Sequence, residues 1–302
     1  MFNFFRKTNL KKINRNIHTL KYTNNVEKIL STSCINFIEK IYNNNINDYN
    51  NTMKIRDDVN INKKYEFRND TKNIRNSLWK IEDIPNNLKR RHVEITGPGN
   101  NKRMVINAFN SNANGYMLDL EDSMTPTWNN IINSHNNIHL AITKNLTDQK
   151  NTDQGIKKYK ITNYNPPTFF VRTRGLHMTE HNLKFNNNPV PATIFDISTF
   201  LFHNADYLLK NNRGPYLYIP KLESFEDALL INNIIYDCEK VLSLPKGSVK
   251  VTCLIETFPA IFQTEEIIYA LRDNIVALNC GRWDYLFSMI KSLGNQKVMN
   301  YR

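Results

Sequence analysis

The sequence predicts an α/β fold of the (β/α)8 barrel type, incomplete at about six of eight strands and preceded by an N-terminal helical extension. Three observations predict it. From residue 91 onward, short apolar runs alternate with stretches of helical period, the rhythm of parallel strands joined by crossover helices. The charged residues Glu121, Asp122, Arg172, Arg174, Lys221, Glu256 and Asp284 all fall where those strands end, the face that carries the site in barrels of this type. An open doubly wound sheet would usually begin with a glycine-rich phosphate loop. Gly97-Pro98-Gly99 is a poor one, because Pro98 lacks the N–H such a cradle uses.

The chain divides into 1–26, 27–90 and 91–302. Residues 1–26 carry six basic side chains (Arg6, Lys7, Lys11, Lys12, Arg15, Lys21) and no acidic one, half of the chain's +12. Leu10, Ile13, Ile17 and Leu20 share a helical face there, which fits a mitochondrial targeting sequence or a disordered basic tail. In 27–90, Ile29, Leu30, Cys34, Phe37, Ile38 and Ile41 predict an amphipathic helix. Asn43 to Asn51 is asparagine-rich and expected to be a solvated loop.

Strands are then expected at Val93–Thr96, Gly115–Leu120, Thr168–Val171, Tyr216–Ile219, Val249–Ile255 and Ile275–Leu278. Helices are expected over Arg103–Asn110, from Pro126-Thr127-Trp128 onward, Phe195–Lys210, Phe225–Leu242, Ala260–Leu271 and after Asp284. His177 to Pro191 reads as a hairpin excursion. No run of about 18 apolar residues predicts a membrane span. The basic balance could draw nucleic acid, but no basic motif interleaved with aromatics and no zinc spacing supports it. Anionic small molecules are the expected partners. Cys34, Cys238, Cys253 and Cys280 have no CxxC spacing and read as reduced thiols, with Cys253 and Cys280 expected to pack in the core.

Glu256 and Asp284 end consecutive strands, 28 positions apart, so neighbouring barrel strands would bring them together at the rim. Two carboxylates with open positions suit Mg²⁺. The alternative is that each caps its own helix or pairs with Arg282. Glu121 and Asp122 would accept hydrogen bonds from metal-bound water, or cap the helix after Pro126. Arg172 and Arg174 share a face only if the strand continues, and the turn at Gly175 leaves one of them for the site. That arginine could stabilise negative charge on oxygen or bridge to one of the acids. His135, His139, His177 and His181 lack an HExxH pattern and read as surface or packing residues.

Several segments together resemble malate synthase, in its A-type isoform. They are Val93-Glu94-Ile95-Thr96-Gly97-Pro98, Met104 to Ala108, Asp119-Leu120-Glu121-Asp122-Ser123 and Val171 to His177, then Phe202-His203-Asn204, Gly214-Pro215-Tyr216, Pro220-Lys221, Leu254 to Thr257 and Leu278 to Lys291. The resemblance spans roughly 75–295. It implies a TIM barrel that condenses acetyl-CoA with glyoxylate and water to malate and CoA, as in the glyoxylate cycle. It implies Mg²⁺ on Glu256 and Asp284, glyoxylate on Gly281, Arg282, Trp283 and Asp284 (through the backbone N–H groups of that turn), and Arg172 against the enolate oxygen. Thr173 and Leu176 depart from the family's usual Pro and Trp, and the Gly99–Arg103 loop carries one extra residue.

Family members continue past this point, through two further strands and a helical domain that holds the aspartate removing the methyl proton. The resemblance therefore implies an apparently truncated enzyme of doubtful activity, with open sheet edges that invite self-association. A malyl-CoA or citramalyl-CoA lyase-like enzyme of the same superfamily, or a non-catalytic relic or interaction fragment, are the alternatives. By family the compartment is a peroxisome-like organelle or the cytoplasm; the basic N-terminus points to mitochondria instead.

Overall fold

The structure, a computed structural model, describes residues 25–62, 65–153 and 155–294. The basic segment falls almost wholly outside these, so its expected helix does too. A short helix α1 (Val26–Ile29) leads into the long α2 (Thr32–Asn62), and α3 (Lys72–Asn76) follows. The asparagine-rich stretch expected as a loop lies inside α2. Asparagine is a weak helix former, but Ile41, Tyr42 and Tyr49 keep one face buried. The buried Asn45 amide on that face donates to the Ile41 carbonyl (2.9 Å) and the Asp237 carboxylate (2.9 Å). Tertiary packing overrides propensity here.

The strand–helix rhythm then begins. β1 (Glu94–Pro98) is followed by α4 (Lys102–Phe109), whose N-terminus is capped by Asn101, and β2 (Gly115–Asp119) by α5 (Trp128–Ile142), capped by Thr127 rather than led by Pro126. An exposed polar hairpin, β3 (Thr147–Thr152) with β4 (Gly155–Lys160), was not expected. β5 (Thr168–Arg172) leads into the expected hairpin, β6 (Thr179–Phe185) with β7 (Asn188–Pro191), then α6 (Ala192–Lys210). β8 (Tyr216–Ile219), α7 (Phe225–Val241), β9 (Lys250–Ile255), α8 (Thr264–Ala270), β10 (Ile275–Cys280) and α9 (Arg282–Leu293) complete the series.

β1, β2, β5, β8, β9 and β10 form one parallel sheet in that order. Each strand pairs with the next one of the series and the order never reverses. A doubly wound sheet has such a reversal; a barrel wall does not. This is six strands' worth of a (β/α)8 barrel.

Side-chain alternation divides the sheet. Tyr116, Leu118, Phe169, Val171, Leu217, Ile219, Val251 and Cys253 turn to the helices, in one large core. Phe170, Tyr216, Tyr218, Leu254 and Val276 form a second cluster on the other face, with Leu88 packed among them. Burying a ring like Phe170 contributes roughly 2–3 kcal/mol. Arg91 reaches into this inner face, its guanidinium 4.5 Å over the Phe170 ring and donating to Tyr218 Oη (2.6 Å) and Thr252 Oγ1 (2.9 Å). The inner set continues upward to Asp119, Arg172 and Glu256. Among the described residues, Leu278, Trp283, Phe287 and Ile290 are apolar and exposed along the β10–α9 edge.

Candidate active site

Arg172 ends β5 on the inner face and is only 6% exposed. Five carboxylates surround it. Its Nη1 lies 3.4 Å from Asp119 Oδ2, and its Nη2 lies 3.5 Å from Glu121, 3.8 Å from Glu256 and 3.9 Å from Asp284, and also pairs with Asp122. A second cation enters from the end of β8. Lys221 Nζ lies 2.9 Å from Asp122, 3.2 Å from Glu121 and 3.5 Å from Asp284. Glu121, Asp122, Arg172, Glu256 and Asp284 were all expected at the site, and the structure brings them together. Arg174 is the arginine it leaves out: it turns away and binds Asp196 and Glu180.

Each position has a local cause. Asp119 accepts from the N–H groups of Glu121 and Ser123 (both 2.9 Å), which folds the loop after β2 so that both following acids face Arg172. Glu121 also accepts from the Gly175 N–H at 3.3 Å. Glu256 accepts from the Lys221 N–H at 2.9 Å. Gly281 matters for room. A Cβ there would sit 2.5 Å from both Cβ and Oε2 of Glu256, so only glycine lets the turn after β10 pass the carboxylate this closely. The turn leads into α9, whose N-terminus carries no side-chain cap. Arg282 and Trp283 stack on each other (5.0 Å), with Trp283 exposed; no bridge from Arg282 to either acid occurs among the described residues.

Sequence reasoning placed Lys221 on the site face without giving it a role, and overlooked Asp119. Lys221 has a left-handed backbone, φ 54°, which costs a non-glycine residue about 1 kcal/mol or more. The Pro220-Lys221 pair at a strand end was the available signal. Asp119 looked like a strand residue, and nothing in its spacing reveals the loop it ties. His177, expected on the surface, is half-exposed with Nε2 at 3.6 Å from Glu121; burial pushes its pKa down. His135 packs, as expected, with Nε2 at 3.5 Å from Asp196. Cys280, expected in the core, is exposed at the end of β10, whereas burial pushes the Cys253 thiol up to about 12.

The electrostatics are unbalanced. Among the described residues, Asp119, Glu121, Asp122, Glu256 and Asp284 face two full cations, Arg172 and Lys221, with His177 beside Glu121. Burial pushes the Glu256 carboxyl up to about 7, against the pull of Arg172 and Lys221. Burial likewise raises Glu121. Asp122 is instead held below its ordinary value, burial being outweighed by Lys221 and Arg172. The same acids keep both cations protonated despite their own desolvation. Arg172 Nε is buried without a partner.

Among the described residues no three His, Cys, Asp or Glu side chains form a closed metal cage. Glu256, directly after β9, and Asp284, in the first turn of α9, both approach Arg172 Nη2, at 3.8 and 3.9 Å. A surplus of carboxylates over the two cations is a donor set suited to Mg²⁺, which takes one or two carboxylates and keeps its waters.

Comparison with known proteins points to one family. Residues 168–301 match the model of the malate synthase TIM barrel domain. The chain is 38% identical over 281 residues to malate synthase A of Escherichia coli strain K12, across 92% of this chain and 52% of that protein. It is 41% identical over 227 residues to malate synthase of Myxococcus xanthus (75% and 41%), and 41% identical over 234 residues to the glyoxysomal malate synthase of Candida tropicalis (76% and 42%). The chain spans about half the length, or less, of these relatives. Taken with the six-stranded barrel wall, these matches identify the chain as a member of the malate synthase family.

Proposed function

We propose that this chain carries the glyoxylate half of a malate synthase site, for the condensation of acetyl-CoA with glyoxylate and water to malate and CoA. The observation that carries the reading is the convergence of Glu256 and Asp284 on Arg172, within a cluster of five carboxylates and two cations. Glu256 and Asp284 would hold Mg²⁺, which when bound supplies Lewis-acid polarisation of the aldehyde. The uncapped N–H groups at the start of α9 would receive the glyoxylate carboxylate, as helix N-termini receive anions. Arg172, with an unpaired Nε, would stabilise negative charge on the thioester oxygen of acetyl-CoA. Glu121 and Asp122 would orient water near the metal.

Calorimetry of Mg²⁺, followed by glyoxylate, tests this. Binding of glyoxylate that depends on Mg²⁺ is expected, and its absence overturns the reading.

The glyoxysomal relative in Candida tropicalis supports a peroxisome-type compartment, with the cytoplasm as the other family location. It lends nothing to a mitochondrial one. The exposed apolar side chains along β10 and α9 support self-association through that edge, which sedimentation velocity would test.

A further inference from the structure

The N-terminal extension touches the site through one arginine. Arg56 lies on α2, far in sequence from every site residue, and is 6% exposed. Its guanidinium grips the fully buried Asp227, with Nε at 2.9 Å from Oδ1 and Nη2 at 2.6 Å from Oδ2. Asp227 is itself fixed, accepting from the N–H groups of Glu223 (2.6 Å) and Ser224 (3.2 Å) in the capping box of α7. The remaining reach of Nη2 is spent on the Lys221 carbonyl, at 2.8 Å.

Lys221 is thus pinned on both sides of its α-carbon. Its carbonyl accepts from Arg56, and its N–H donates to Glu256 Oε1. Its φ of 54° is unfavourable for a lysine, so the conformation persists only because neighbours hold it. Released at the carbonyl, the residue would relax toward negative φ and swing its N–H off Glu256.

We infer that Arg56 is a positioning residue for Glu256, acting through the Lys221 backbone, so that the N-terminal helix sets the orientation of a carboxylate at the site. The inference rests on the proposed role of Glu256 in holding Mg²⁺. Groups that orient a metal ligand typically change affinity 10–100-fold when lost. Arg56 stands one bond further out, so the low end applies.

The test is Mg²⁺ calorimetry on the full chain, with thermal melts to keep all measurements on folded protein. Arg56→Lys keeps the charge but cannot span Asp227 and the Lys221 carbonyl together; it is expected to weaken Mg²⁺ roughly tenfold. Tyr49→Phe removes another hydrogen bond from α2 to a loop on this side, from Tyr49 Oη to the Leu176 carbonyl (2.9 Å), without touching Lys221. It is expected to leave Mg²⁺ affinity within about twofold. Should Arg56→Lys fail to fold, Asp227→Asn, which loosens the anchor of Arg56, carries the same test with a loss of about threefold. Affinity for Mg²⁺ unchanged in Arg56→Lys or Asp227→Asn overturns the inference, as does an equal loss in Tyr49→Phe. A wild-type chain that does not bind Mg²⁺ overturns the site reading and this inference with it; a wild-type chain that binds, with variants that bind equally, overturns this inference alone.

Discussion

Two arginines, two residues apart at the end of β5, sit in buried acid clusters on opposite sides of the sheet, and the clusters are built differently. Arg174 is 1% exposed and matched throughout: Nε and Nη2 donate to the two oxygens of Asp196 (3.0 and 2.8 Å) and Nη1 to Glu180 (2.9 Å). Even its backbone N–H goes to Asp196, at 2.9 Å. Arg172 faces more acids at longer range, 3.4–3.9 Å for four of them, and its Nε has no partner. A cluster whose charges and donors are all spent has nothing left for a ligand. One with surplus carboxylates and an idle donor is incomplete without one.

The largest expected effect is on the matched side. Asp196→Ala would leave the Arg174 guanidinium buried with only Glu180, a loss of about 3–5 kcal/mol, which thermal or urea unfolding would reveal. A loss under 1 kcal/mol would dissolve the contrast between the clusters. Next is Gly281→Ala, whose added methyl meets Glu256 at 2.5 Å. It should lower Mg²⁺ affinity about 10–100-fold in calorimetry while costing far less stability than Asp196→Ala.

A third prediction concerns pH. The folded-state pKa of Glu256, at about 7, stands above its ordinary 4.5, with burial as the main cause. Its contribution to stability is therefore fully present below about pH 4.5 and lost as pH rises through 7. Glu256→Gln should make the metal-free chain more stable than wild type at pH 8, with the gap closing by pH 5. The smallest effect is expected at the exposed rim: Trp283→Ala should change stability by no more than about 0.5 kcal/mol.

The barrel wall was legible because buried parallel strands are written as short apolar runs ending in charge, and because Glu256 and Asp284 follow consecutive strands, Asp284 from the first turn of α9. Strand spacing could not tell Arg172 from Arg174; only the resemblance singled out Arg172. The difference depends on Asp196, a residue inside the following helix whose position no strand period reports. Lys221 was placed on the site face but given no role for a related reason: its importance lies in a backbone angle held by distant neighbours. The loop expected at Asn43–Asn51 failed because polar composition outweighed a sparse apolar face of Ile41, Ile46 and Tyr49, which α6 and α7 cover only in the folded chain.

The bridge from Arg56 to Asp227 also has a temporal side. Its partners are 171 residues apart. At about 5–20 residues per second, translation leaves Arg56 roughly 10–35 s without the carboxylate that neutralises it. The N-terminal helix must wait in solution, or on a chaperone, until α7 emerges. The ribosome thus makes the site-setting arginine early and its anchor late.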